Sequence, residues 1–297
     1  MTFFVVLSCL LLNHYWRKER LLPVDNWFEH WQQILLAQQH RLPDGLRQWP
    51  LTLPIFFLLI PLIPVALLLL IAEGRLMGLL TLGLHFLLLM YCLPRVNIDF
   101  LIDEYLQRWD RGNFEAAYLH TEQVAPSVFN ESFDDYACMH ASFSTFVLVT
   151  SFRRIFAVLF WYILFGPLGA LFYLLLQQLI ATGGLLQTGR SDAVAERLLA
   201  ILEWVPVRMV ALAFALAGDF VATFKVIKSR IFDQLDADTG LELLKESASA
   251  AMLTSERVGK DIDFAARASA ELKELRGLLM RTHAVWVVVL ALIILVV

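Results

Sequence analysis

Two ionisable residues, Arg208 and Asp219, fall inside the apolar run 205–224. Each costs roughly 2.5–3.5 kcal/mol if it sits ionised near a bilayer centre, so each needs a partner. On one continuous helix they share a face but stand about 16 Å apart, too far to pair. Positions 208, 212, 215 and 219 then form a stripe on a helix rich in small residues (Ala211, Ala213, Ala215, Ala217, Gly218, Ala222). Small residues let helices approach closely. Two arrangements satisfy the charges: pairing with neighbouring helices, or a polar cavity for an anionic ligand. A guanidinium suits the second, because its planar fork matches a carboxylate or phosphate. The string Glu203-Trp204-Val205-Pro206-Val207-Arg208 reads as a helix start, with Trp204 at the interface and Pro206 in the first turn. It puts Arg208 one turn inside the membrane. Arg153 and Arg154 precede the long apolar run 155–181, where ordinary positive-inside anchoring is the plainer reading. In the cavity arrangement, Arg208 lines an inward-facing cavity together with the long run that carries Trp161 and Tyr173. Within the run, Gly166-Pro167-Leu168-Gly169 predicts a kink.

Other chemistry is thin. His85 lies in an apolar run, where it either relays protons or bonds a neighbouring helix. The seven histidines show no metal spacing, and Cys9, Cys92 and Cys138 lie far apart. Asp99, Asp103 and Glu104 offer either a Mg²⁺ site or, more simply, a solvated helix face. No phosphate-cradling loop, nucleophile elbow or HExxH helix occurs. No cofactor and no metal are expected.

These residues sit in a chain that is 59% hydrophobic and 18% charged, with mean hydropathy +0.64. That is greasier than an ordinary soluble domain and excludes disorder or a disulfide scaffold. A net charge of −4 argues against nucleic acid as a partner. The expected fold is all-α, a polytopic helical membrane protein with a cytoplasmic helical layer. Residues 1–50 hold a short N-terminal membrane helix and an amphipathic helix. Residues 51–94 form a transmembrane hairpin, joined at Glu73-Gly74-Arg75. Residues 95–154 form a cytoplasmic segment, and 155–224 a transmembrane pair with a short external loop. Residues 225–281 are cytoplasmic again, and 282–297 form a C-terminal membrane helix. That last run is short, so it needs the preceding turn of 277–283 or a thinned bilayer to span. In this orientation 20 of the 24 Lys and Arg face the cytoplasm, three face outward and Arg208 lies within a span, as the positive-inside rule asks.

Between the spans, 24–41 reads as an amphipathic helix with Trp27, Trp31, Ile34 and Leu35 on one face, suited to the interface or to packing on cytoplasmic helices. Residues 97–109 repeat the pattern with Ile98, Leu101, Ile102, Tyr105, Leu106 and Trp109. A turn at Arg111-Gly112-Asn113 leads to a short helix over 115–122. Residues 126–132 read as a loop, 133–154 as a helix feeding the long span, and 241–252 and 255–279 as helices.

Phe156-Ala157-Val158-Leu159-Phe160-Trp161, with Phe165-Gly166-Pro167-Leu168-Gly169-Ala170-Leu171-Phe172-Tyr173, resembles the long-span signature of the AmpE family. The string from Glu203 to Arg208 resembles its second signature. The resemblance covers essentially the whole chain. It implies a multi-pass protein of the bacterial inner membrane with a signalling role in beta-lactamase regulation. That family is in turn similar to the membrane synthases of cobalamin biosynthesis. Only the Trp-x-Pro-x-Arg string is shared with them. Their acidic-and-Asn string is replaced here by Thr150-Ser151-Phe152-Arg153-Arg154, and their Asn-Thr-x-Asp string by Gln177-Gln178-Leu179-Ile180. An ATP-using condensation needs carboxylates to hold Mg²⁺ and phosphates.

The first functional expectation is therefore a non-enzymatic sensor or adaptor in envelope and antibiotic response. Competing readings are a synthase-like enzyme acting on a carboxylate and a transporter of a cell-wall fragment. Expected partners are the lipid bilayer, an anionic small molecule or lipid head group, and a protein the sequence does not identify. Homo-oligomerisation is left open.

Overall fold

The computed structural model describes residues 2–15, 27–38, 52–73, 78–93, 98–124, 135–181, 189–230, 237–252 and 264–296. All the regular structure among them is helical. In chain order the helices are α1 (Thr2–Tyr15), α2 (Trp27–Gln38), α3 (Thr52–Ala72), α4 (Leu79–Cys92), α5 (Ile98–Trp109), α6 (Phe114–Val124) and α7 (Tyr136–Ser151). A π-turn over Phe152–Phe156 leads into α8 (Ala157–Ala181), followed by α9 (Gly189–Ala217), α10 (Phe220–Arg230), α11 (Ala237–Ala251) and α12 (Phe264–Val296). Among the described residues, two helical stretches are long and apolar enough to cross a membrane, Tyr136–Ala181 and Ala193–Ala217, while Phe57–Ala72 and Leu79–Cys92 are shorter. The chain forms two compact units.

The first unit comprises residues 1–96, 157–206 and 235–240. In it α4 packs on α1 and α8, and α3 packs on α4 and α8. Three of its polar contacts join neighbouring helices. Thr81 Oγ1 donates to the Ala72 carbonyl at 3.0 Å, tying α4 to the end of α3. His85 Nδ1 lies 3.3 Å from the Tyr162 hydroxyl, so the ring does bond a neighbouring helix. Trp27 Nε1 donates to Tyr91 Oη at 2.6 Å. On α2 the buried positions are Phe28 and Gln32, while Trp27 and Ile34 are exposed. Of the face expected from the pattern, Trp27 and Ile34 are thus outward, while Trp31 is half-buried.

The second unit comprises residues 97–156, 207–234 and 241–297. The six apolar residues expected on one face of α5 are all buried. Asn113 caps α6 by accepting from the Ala116 N–H at 3.1 Å, and Asp135 caps α7 through Ala137 at 3.3 Å. Gly112 takes a φ of 74°, which a turn between two helices demands. Around Trp109 an aromatic core closes. Tyr105 stacks on Trp109 at 5.4 Å and on Phe143 at 4.1 Å. Trp109 Nε1 donates to the Ala265 carbonyl of α12 at 3.0 Å. At the rim Arg276 meets Asp99 (3.1 Å) and Asp103 (2.6 Å), and Lys273 meets Asp110 (3.2 Å). The acids read from the sequence as a solvated face or a Mg²⁺ site are thus engaged by cations.

Four features depart from the sequence reading. The run 205–224 is not one helix, because it breaks at Gly218-Asp219. A Cβ on Gly218 would lie 2.2 Å from the Ala251 carbonyl, so only glycine permits that approach. Pro206 lies deep inside α9, not in its first turn, because residues from Gly189 onward are already helical and the charges there obscure the period. Without an N–H, Pro206 leaves the Leu202 carbonyl short of its helical donor. Over the described residues, the helices expected across 255–279 and 282–297 join in the single α12, with 255–263 outside the described residues. Finally, the π-turn interrupts the passage from α7 to α8, where a plain helix was expected. The expected loop over 126–132 and the link at Gly74-Arg75 lie outside the described residues.

Candidate functional site

Tyr173 is fully buried on α8, and its hydroxyl donates to Glu203 Oε1 on α9 at 2.9 Å. Glu203 itself is only 4% exposed. A buried carboxyl group demands donors, and Tyr173 is one. Sequence reasoning quoted Glu203 within its string but gave it no role. The available signal is its helical register with the buried Leu199 and Ala200, which puts an acid on an inward face.

Trp161 sits a short way from the kink. Gly166 takes φ 66°, ψ −158° within α8, breaking the helix as the Gly-Pro pair predicts. At Gly169 an added Cβ would meet the Trp161 carbonyl at 2.6 Å and Phe165 Cβ at 2.7 Å, so this glycine serves close approach. The kink borders an apolar groove of about 400 Å³, whose lining includes Leu59, Ile63, Trp161, Phe165, Phe172 and Leu202. Trp161 stacks on Phe165 at 5.7 Å. Its indole N–H is buried and has no hydrogen-bond partner among the described residues. An unmet buried donor of this kind costs about 1–3 kcal/mol.

Arg208 is 9% exposed, on the part of α9 that belongs to the second unit. Its neighbours on the helix, Val207, Val210 and Ala211, are buried, whereas Met209 and Leu212 are exposed. The guanidinium is not an isolated charge. Arg153 and Arg154 are half-buried within the π-turn, and they too are engaged with other groups. π-turns cluster at functional positions, and nothing in the local composition announces this one. Trp161 and Tyr173 belong to the first unit and Arg208, Arg153 and Arg154 to the second.

Asp219 departs from the stripe drawn through Arg208. It caps α10, its Oδ1 accepting from the Ala222 N–H at 3.0 Å. Its carbonyl accepts from Thr223 Oγ1 at 2.6 Å, and its N–H donates to the Ala251 carbonyl at 3.1 Å. An aspartate directly after a glycine is a helix-start signal, and here that signal outweighs the apolar run around it.

Ahead of the long apolar run 155–181, burial shapes the titrating groups of the second unit. His140 faces the Tyr105 hydroxyl at 3.0 Å. Burial lowers its pKa to about 4, with the Ala268 backbone pulling the other way. Burial also pushes the Tyr105 hydroxyl up. His120 is lowered by burial and then by Arg108, with Glu104 opposing. No group of three His, Cys, Asp or Glu residues suited to hold a metal ion occurs among the described residues.

The described residues are all-helical in their regular structure, and two helices among them are long and apolar enough to cross a membrane, one carrying a buried carboxyl and a buried guanidinium. Residues 1–235 match the family of the regulatory signalling modulator protein AmpE. The chain belongs to that family, and the matched range includes both signature strings. No curated protein and no solved structure gives a significant match.

Proposed function

We propose that this protein is a multi-pass sensor of the bacterial inner membrane that modulates beta-lactamase induction without catalysis, and that Arg208 recognises an anionic effector. Membership of a signalling-modulator family supports the regulatory part. The observation that carries the site is the burial of the Arg208 guanidinium on an apolar helix. Such a charge is expensive to insert, and intramembrane ionisable residues mark ligand paths by default. Exposed Leu59, Ile63, Leu67 and Leu70 on α3, with Leu79 and Leu87 on α4, support a hairpin in contact with lipid, since a soluble monomer rarely exposes so large an apolar patch. The basic asymmetry places 95–154 and 225–281 in the cytoplasm in this reading.

The test is Arg208→Lys, which keeps the charge and loses the planar fork. Induction of beta-lactamase should fall while protein level and thermal stability stay near wild type. Unchanged induction in both Arg208→Lys and Arg208→Ala refutes effector recognition. Loss of folded protein in both assigns Arg208 to packing alone.

A further inference from the structure

The short helix α10 presents a mixed face that the regulatory reading does not use. Val221 is 78% exposed. Phe220 and Phe224 are exposed beside it and stack on each other at 5.4 Å. Lys225 and Lys228 are exposed as well. At 100° per residue these five side chains share an arc of about 140°. Just outside that arc, beside Phe220, Thr223 and Ile227 are buried, and Ile227 clusters with Ala211 and Ala215 of α9. Both ends are held to α11. Gly218 and Asp219 meet Ala251 at the start, and at the end Arg230 pairs with Glu242 (2.9 Å) and Glu246 (2.7 Å). The helix contains no acidic residue.

We propose that this face of α10 binds the anionic headgroup surface of the bilayer, with Phe220, Val221 and Phe224 entering the acyl boundary and Lys225 and Lys228 meeting lipid phosphates. Charge complementarity and continuity select this occupant. α10 follows directly on a helix apolar enough to cross a membrane, and rings beside lysines are the make-up of an interfacial helix. A second copy docking face to face would oppose four lysines. An acidic soluble protein would leave the rings to be desolvated by polar groups.

The test uses the full-length protein with Cys138→Ser, since Cys9 and Cys92 are buried and Cys138 is exposed. In detergent, titration with phosphatidylglycerol and phosphatidylcholine, followed by intact-complex mass spectrometry, reads the anionic preference. That preference should fall about fivefold for each of Lys225→Gln and Lys228→Gln. In vesicles, a nitroxide on Val221→Cys should report a depth at the headgroup boundary. An unchanged lipid preference in the double glutamine variant overturns the proposal. So does a nitroxide in open water, which leaves the face to a soluble partner. A nitroxide at the bilayer centre makes α10 plain span and also overturns it. A dimer lost on Phe224→Gln assigns the face to a second copy, with the same consequence.

Discussion

The two units differ in what their surfaces carry. In the first, hydrogen bonds lie between helices: Tyr173 to Glu203, His85 with Tyr162, Thr81 to the Ala72 carbonyl. Its outer side chains on α3 and α4 are leucine and isoleucine. In the second, aromatic rings fill the inside around Trp109, and charged pairs sit at the rim through Arg276 and Lys273. A leucine surface and a surface of paired charges differ in the medium that tolerates each. Water rewards burying rings and exposing charge, whereas lipid leaves an unpaired polar group no partner but protein.

The largest expected effect is on the ring core. Trp109→Ala removes the stack with Tyr105 and the bond to Ala265, and should cost the second unit about 3–5 kcal/mol. Limited proteolysis should then cut within α5–α7 while the helices of the first unit stay protected. Equal loss in both units would break the comparison. Acid should act on the same core. His140 is held near 4, below the ordinary value of 6.5, so the unfolded chain takes up a proton that the folded one refuses. The stability contributed is complete above pH 6.5 and is lost as pH falls toward 4. From pH 7.5 to 5 the loss is about 2 kcal/mol, and His140→Gln should flatten that slope in thermal melts. The smallest effects come as a pair. Tyr173→Phe withdraws a buried donor from Glu203 and should cost about 1–2 kcal/mol regardless of salt. Arg276→Gln should cost under about 1 kcal/mol, and less still at high salt. If Tyr173→Phe proves salt-sensitive and Arg276→Gln does not, the sorting of polar groups described above is wrong.

Where one physical signal dominated, the sequence was readable. The face of α5 followed from helical period alone, since its six apolar residues recur every three or four positions. The kink followed from Gly166-Pro167, because proline bars its predecessor from helical backbone. Other features hid where signals conflicted. The first half of α9 carries Arg190, Asp192, Glu196 and Arg197, so it read as a loop beside a membrane run. The break at Gly218-Asp219 was masked by alanine and phenylalanine on both sides, although the capping signal was present. The π-turn leaves no compositional trace. At the candidate site Arg208 and Tyr173 were legible by type, but Glu203 was not, since its role depends on which helix faces it.

The bond from Trp109 to Ala265 spans 156 positions of chain. At about 5–20 residues per second, a ribosome needs roughly 8–30 s to get from one to the other. Throughout that interval the ring-bearing face of α5 has been made and the helix that seals it has not. The second unit is therefore assembled late and from both ends of a long wait. Until Phe264 and its helix emerge, the part of that aromatic face that α12 covers stays open.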